Sequence, residues 1–271
     1  NQSNSKYLEK ANSLINVNRV GSNTNDKELE IIEFLKTKKK EGKKILCAFG
    51  KVPVDLNVPF DGGPAHEDMA DWLNHTVNVC SECKDVILLV KPHPHELRPE
   101  IALDLIGSFN ELITEKTADN ILLLGHKDIN GHALAPYLDL AILYNGSSSL
   151  ELASQGIPVI MTSYFGRYDY PVDLNYPENR RQYEEFIKSL DYPIPSDEIR
   201  KKAAFLMCYM GTEEISILNQ YSIRQLTNDK VGIPKWRNEK IKDFLENGDD
   251  KMTLVAERIV EKFERKLDNE F

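Results

Sequence analysis

The sequence predicts an α/β fold, a doubly wound parallel sheet with additional flanking helices. Three observations predict it. Short runs of Ile, Leu and Val recur along the chain with turn residues behind them, at 45–49, 86–90, 121–124, 140–144 and 159–162. Amphipathic stretches of helical length separate them. The runs are apolar throughout rather than alternating, as expected of strands buried on both faces of a parallel sheet.

The elements follow in order. Residues 27–41 carry Leu29, Ile32, Phe34 and Leu35 on an apolar side and close in the basic run Lys36, Lys38, Lys39, Lys40, Lys43 and Lys44. Such a run suits the negative end of a helix dipole, or alternatively a surface of anionic lipid head groups. The first strand ends at Gly50. Helices are expected at 67–83, 99–114, 133–138 and 148–155 between the strands, and at 177–190, 196–217 and 250–267 after the last one. With right-handed crossovers, the commonest arrangement of five such strands is a doubly wound sheet in the order 3-2-1-4-5. That order puts the chain reversal between strands one and four, so a ligand is expected over the loops leaving their carboxyl ends.

Composition narrows the function. The 271 residues are 41% hydrophobic and 28% charged, as in a folded globular chain. With 34 basic and 43 acidic residues the net charge is −9, which disfavours nucleic acid as a partner. No apolar stretch has the length of a membrane span and the polar start has no signal-peptide core, so a cytoplasmic location is expected. Cys80 and Cys83 form a C-x-x-C, but late in an expected helix and without a second ligand pair, and they read as buried thiols. No metal site is expected.

The loops at the carboxyl edge hold the chemistry. After strand four, Gly146, Ser147, Ser148 and Ser149 open a helix, where small residues let backbone N–H groups and hydroxyls approach a phosphate. Ser148 and Glu151 equally fit a capping box that needs no ligand. After strand two comes Lys91-Pro92-His93-Pro94-His95-Glu96, in which two prolines hold His93 extended and aimed. His93 can donate to a phosphate or stabilise a leaving group, with Lys91 adding a point charge; His95 and Glu96 fit a loop tip as well. The long loop after strand one brings Gly50 and Lys51 near the same place and offers Asp55, Asp61 and His66. An aspartate there can act as general base on a hydroxyl, and Asp61-Gly62-Gly63 can equally close an Asx turn.

Val90-Lys91-Pro92-His93-Pro94 and, some fifty residues later, Asn145 to Ile160 resemble the nucleotide-binding half of GT-B glycosyltransferases, most of all the capsular polysaccharide biosynthesis proteins. The resemblance runs from about residue 44 to 162. It implies a Rossmann-like domain that binds a nucleotide-sugar donor (CMP-, CDP- or UDP-linked), with no obligatory cofactor. Glu151, five positions before Gly156, would hold the ribose, and His93 with Ser147, Ser148 and Ser149 the nucleotide phosphate. Gly50, Lys51, Lys91 and Gly146 complete the expected phosphate site, and Asp61 and His93 are the expected catalytic groups. The resemblance also implies a glycan or glycolipid acceptor and a preceding GT-B domain that this chain lacks, and the lipid reading of the basic run would make the contact with a bacterial inner membrane peripheral. CDP-alditol phosphotransfer and sugar-nucleotide epimerisation use a comparable phosphate cradle; the alternative from another class is a non-catalytic binding module of a polysaccharide assembly complex, in which the fold persists and no nucleotide binds. The expected plan is a helical arm or linker at 1–42, the nucleotide-sugar domain at 43–230, and C-terminal helices at 231–271 packing back on it.

Overall fold

The computed structural model describes residues 8–13, 25–53, 62–98, 107–114, 117–164, 172–210, 221–226 and 232–250, with a few helical residues between 252 and 260; the side chains of 209–210, 223–226 and 232–234 are not described. The chain divides into two compact units, Asn1–Cys208 and Tyr209–Phe271. The boundary expected at 230 thus falls inside the second unit.

The first unit is built on β1 (Lys44–Phe49), β2 (Val86–Lys91), β3 (Ile121–Leu123), β4 (Leu140–Leu143) and β5 (Val159–Met161). All pairings are parallel and the order is β3-β2-β1-β4-β5, as the sequence predicts. Period-two alternation sorts the strand residues to two apolar layers. Ile45, Cys47, Ile87, Leu89, Ala141 and Leu143 belong to one layer. Leu46, Ala48, Leu88, Val90, Leu140 and Ile142 belong to the other. Lys91 pairs with Phe49 and continues the face of Ile87 and Leu89 to the carboxyl edge.

Helix α1 (Asp26–Lys40) covers the first face with Ile31 and Leu35. Of the residues expected as an arm or linker, 26–40 therefore form a helix packed on the sheet. Its N-cap Asn25 accepts from the Glu28 N–H at 2.7 Å, and Lys38, Lys39 and Lys40 stand at the dipole's negative end. Within the basic run, Lys36 pairs with Glu33, Lys38 with Glu41, Lys39 with Asp139 and Lys43 with Asp85. Helices α2 (Met69–Ser81) and α5 (Arg180–Lys188) cover the second face. There Trp72 is fully buried, with Tyr144 at 5.6 Å and Phe109 at 6.1 Å between ring centres. Cys80 is buried in this layer and Cys83 donates its thiol to the Val79 carbonyl, so the C-x-x-C forms no exposed dithiol.

The remaining helices depart in detail. Of the stretch 99–114, residues 99–106 lie outside the described ones, and Phe109–Leu112 is a 3-10 turn. Gly131–Leu134 (α3) is a single turn continued as 3-10 helix to Tyr137, and Ser148–Ser154 forms α4. Asp197–Met210 forms α6; the expected continuation to 217 and most of 250–267 lie outside the described residues. In the second unit, β6 (Ser222–Leu226) and β7 (Gly232–Trp236) pair antiparallel, and α7 (Asn238–Asn247) follows. The ribbon is not expected from the sequence, whereas α7 falls within 231–271, where C-terminal helices are expected. Among the described residues no helix is long and apolar enough to cross a membrane.

Candidate functional site

The loops that leave β1, β2, β3 and β4 enclose a cavity of about 570 Å³. It opens at the chain reversal between β1 and β4, where a doubly wound sheet places its ligands. Phe49, Gly50, Lys91, His93, Ser148 and Glu151 line it, so turns far apart in sequence converge on one space.

Gly50 is there for close approach. A Cβ at this position would lie 2.7 Å from the Phe109 ring and 3.1 Å from the Lys91 carbonyl oxygen, which accepts the Gly50 N–H at 2.8 Å. Lys91 is 6% exposed. Its ammonium has no hydrogen-bond or ion-pair partner among the described residues, although its stem reaches the neighbourhood of Gly131 on the cavity wall. Burial pushes the ammonium below its ordinary pKa, while Asp128 and Glu28 counteract that from a distance. A buried cation without a counter-ion is costly, and it stands ready for an anion in the cavity.

His93 caps the 3-10 turn Pro94–Leu97. Its Nδ1 accepts the His95 N–H at 3.1 Å, which puts the ring proton of the neutral form on Nε2. His95 stacks edge-on against it at 4.6 Å. Glu96 is not a solvated loop tip. Its side chain is 1% exposed; Oε1 accepts the His93 N–H at 3.0 Å, and Oε2 accepts the Phe109 N–H and His126 Nε2–H, both at 3.0 Å.

The serine turn divides. Gly146 has φ +150°, which side-chain-bearing residues rarely adopt, and it reverses the chain after β4. Ser147 is the N-cap of α4, with no side-chain cap bond. Because the helix starts there, Leu150 occupies the third helical position and the Ser148–Glu151 capping box does not form. Ser147 and Ser148 line the cavity, while Ser149 is fully buried away from it with an unpartnered hydroxyl. Glu151 faces His132, whose Nδ1 lies 3.6 Å from Oε2. Burial raises the Glu151 carboxyl above its usual range, and His132 opposes the shift.

Lys51 is half-buried and is not part of the cavity wall. Asp55 and Asp61 lie outside the described residues. His66 is placed elsewhere: it is buried against Tyr183 on the second face, its Nε2 2.9 Å from His75 Nδ1, and His75 Nε2 meets Glu184 at 3.1 Å. Burial drives the His66 pKa down to about 3, so this imidazole is a neutral core residue rather than a cavity group.

Several wall residues are not singled out by sequence reasoning. Glu28, buried in the first turn of α1, accepts the Asn130 N–H at 3.2 Å, and Asn25 donates to the Lys127 carbonyl at 3.0 Å. These bonds bring the loop after β3, with His126 and His132, to the cavity. Two histidines in the turn-rich stretch 125–132, at the same edge as His93, were the available signal.

No family model matches the chain, and no curated protein does. Among solved structures, the spinosyn rhamnosyltransferase SpnG is 15% identical, with a TM-score of 0.38 over 61% of this chain and 40% of its own. A putative UDP-N-acetylglucosamine 2-epimerase from Listeria monocytogenes is 15% identical, with a TM-score of 0.37 over 68% and 42%. The beta Kdo 2,4 transferase of KpsC from Thermosulfurimonas dismutans is 13% identical, with a TM-score of 0.39 over 82% and 64%. The chain therefore spans less than two thirds of the length of each.

Proposed function

We propose that the first unit is the nucleotide-sugar-binding part of a glycosyltransferase. The observation that carries this reading is the buried, partnerless Lys91 ammonium in a cavity at the chain reversal of a doubly wound sheet. An anionic ligand would relieve its cost. His93 adds an imidazole donor beside it, and Ser147 and Ser148 add hydroxyls, as a phosphate requires. Glu151, on the wall and not engaged in a capping box, takes a ribose hydroxyl. In the transfer, an acceptor hydroxyl attacks the anomeric carbon while the nucleotide phosphate leaves as an anion. Positive charge and donors fixed on that phosphate lower the barrier. No divalent ion is required. The finer reading, a transferase of surface-polysaccharide assembly with a CMP-, CDP- or UDP-linked donor, rests on the resemblance of residues 90–94 and 145–160.

A thermal-shift panel of CMP, CDP, UDP, GDP and their sugar conjugates tests it, on the wild type, His93→Ala and Ser148→Ala. A ligand at a hundred times its dissociation constant adds about 2.7 kcal/mol, a shift of several degrees for a unit of this size. The expected result is a shift for one base family, reduced in both variants. Stability unmoved by every nucleotide would reject the reading. Product analysis then separates transfer of a sugar from alditol-phosphate transfer and from epimerisation.

A further inference from the structure

One carboxylate in the cavity wall does more than close a turn. Glu96 is already satisfied by the His93 and Phe109 backbone N–H groups, yet Oε2 also receives His126 Nε2–H at 3.0 Å. An ionised carboxylate only accepts, so this bond puts the ring proton of neutral His126 on Nε2 and leaves the Nδ1 lone pair bare. Nδ1 has no partner among the described residues and is not among their sealed polar atoms, and His126 lines the cavity. The ring is also held in place through its loop. Asp128 accepts the Gly125 N–H at 2.7 Å, Asn110 donates to the Leu124 carbonyl at 2.8 Å, and Asn25 holds the Lys127 carbonyl. A buried carboxylate that orients an imidazole, with the opposite ring nitrogen open to a ligand, is the construction of a general base.

We propose that His126, oriented by Glu96, is a general base that lets this unit hydrolyse the nucleotide sugar it binds. The inference rests on the proposed function above. The oxygen of a cavity water bonds to the anomeric carbon, and the bond from that carbon to the phosphate oxygen breaks, its electron pair remaining on the phosphate. The water's proton passes to His126 Nδ1 and then to solvent. The products are free sugar and nucleotide. The titratable groups that share the wall with His126 are Glu28, Lys91, His93, His95, Lys127, His132 and Glu151.

The test uses the full chain with CMP-N-acetylneuraminate and UDP-N-acetylglucosamine, with release of CMP or UDP followed by chromatography in water enriched in oxygen-18. Nucleotide release from one donor is expected, with the label entering the sugar. His126→Ala should lower the rate by about 10²-fold or more, the usual contribution of a positioned base and a larger loss than any change in affinity for CMP or UDP. His126→Asn, which keeps a polar side chain near Glu96, should be equally slow and should lose the ascending limb of the pH–rate profile. Label in the nucleotide phosphate, an unchanged rate in His126→Ala, or no turnover although the nucleotide binds would each overturn the base and leave the donor site standing. Absence of any nucleotide binding would overturn both.

Discussion

Replacing Lys91 by Met separates function from stability, because the two should move in opposite directions. The lysine is 6% exposed and makes no direct ion pair among the described residues, and burial holds its pKa below the ordinary 10.5 against the more distant Asp128 and Glu28. The native state therefore carries a desolvation cost that the unfolded chain avoids. That cost is full below the native pKa and is lost as the pH rises through it towards 10.5, because the neutral amine carries no such burden. Methionine keeps the stem's volume without the charge, and swaps of this kind often stabilise by about 1–3 kcal/mol. For a unit of this size each kcal/mol raises the melting temperature by about 2–4 °C. On the proposed function the same change should also remove a charged hydrogen bond to phosphate of about 1.5–3 kcal/mol, a loss of affinity of roughly tenfold to 150-fold. Thermal unfolding of both proteins near pH 7, with and without the nucleotide that binds, reads both effects. A variant that melts higher alone and gains less from ligand is expected, with the stability gap narrowing at high pH. If Lys91→Met melts lower without ligand, the lysine is a satisfied structural group and the reasoning fails; if it keeps the full ligand shift, Lys91 does not touch the phosphate.

Gly50→Ala should drive a methyl into the Phe109 ring and destabilise by about 1–3 kcal/mol; an unchanged urea midpoint would show that the ring has room to move. Below pH 6.5 the unfolded chain protonates His66 while the native state refuses the proton down to about pH 3, so native stability should fall with pH at up to about 1.4 kcal/mol per unit in that window. His66→Gln should flatten that slope by about one proton in urea titrations from pH 4 to 7, and an unaltered slope would count against it. Burial raises the Cys47 and Cys80 thiols, so Ellman's reagent should reach the half-buried Cys83 before either in the native protein, as peptide mapping of the labelled thiols will show. Excess EDTA should leave nucleotide affinity unchanged in a binding titration, and a tenfold loss would mean that a cation takes part.

The strands were legible because burial on both faces leaves an unbroken apolar signature, and the strand order followed from taking the commonest doubly wound arrangement with right-handed crossovers. Lys91 was legible for the same reason: it is the first polar residue where the face of Ile87 and Leu89 reaches the edge. Local pattern misled where a one-residue offset decides the outcome. Ser148 and Glu151 have capping-box spacing, but α4 begins a residue earlier, and the offset turns Ser149 into the core and Glu151 towards His132. Contacts across great sequence distance were invisible. Asn25 and Glu28 look like an ordinary helix start, and only the folded chain carries them to Lys127 and Asn130, more than a hundred residues away. His66 looked like a loop histidine beside the cavity, yet Tyr183 and His75 seal it into the opposite layer. The ribbon at 222–236 has strands too short and mixed for periodicity to reveal.

The Glu96 carboxylate ties the His93 turn, the Phe109 turn and the His126 loop to one another. Three segments that share one anchor cannot shift independently, so the wall of the cavity is assembled before any ligand arrives and little ordering entropy is left to lose on binding. It also makes the segments a unit under mutation. A substitution that loosens one of them removes much of what a second could still disturb, so paired changes at His93 and His126 should cost less than the sum of the single ones.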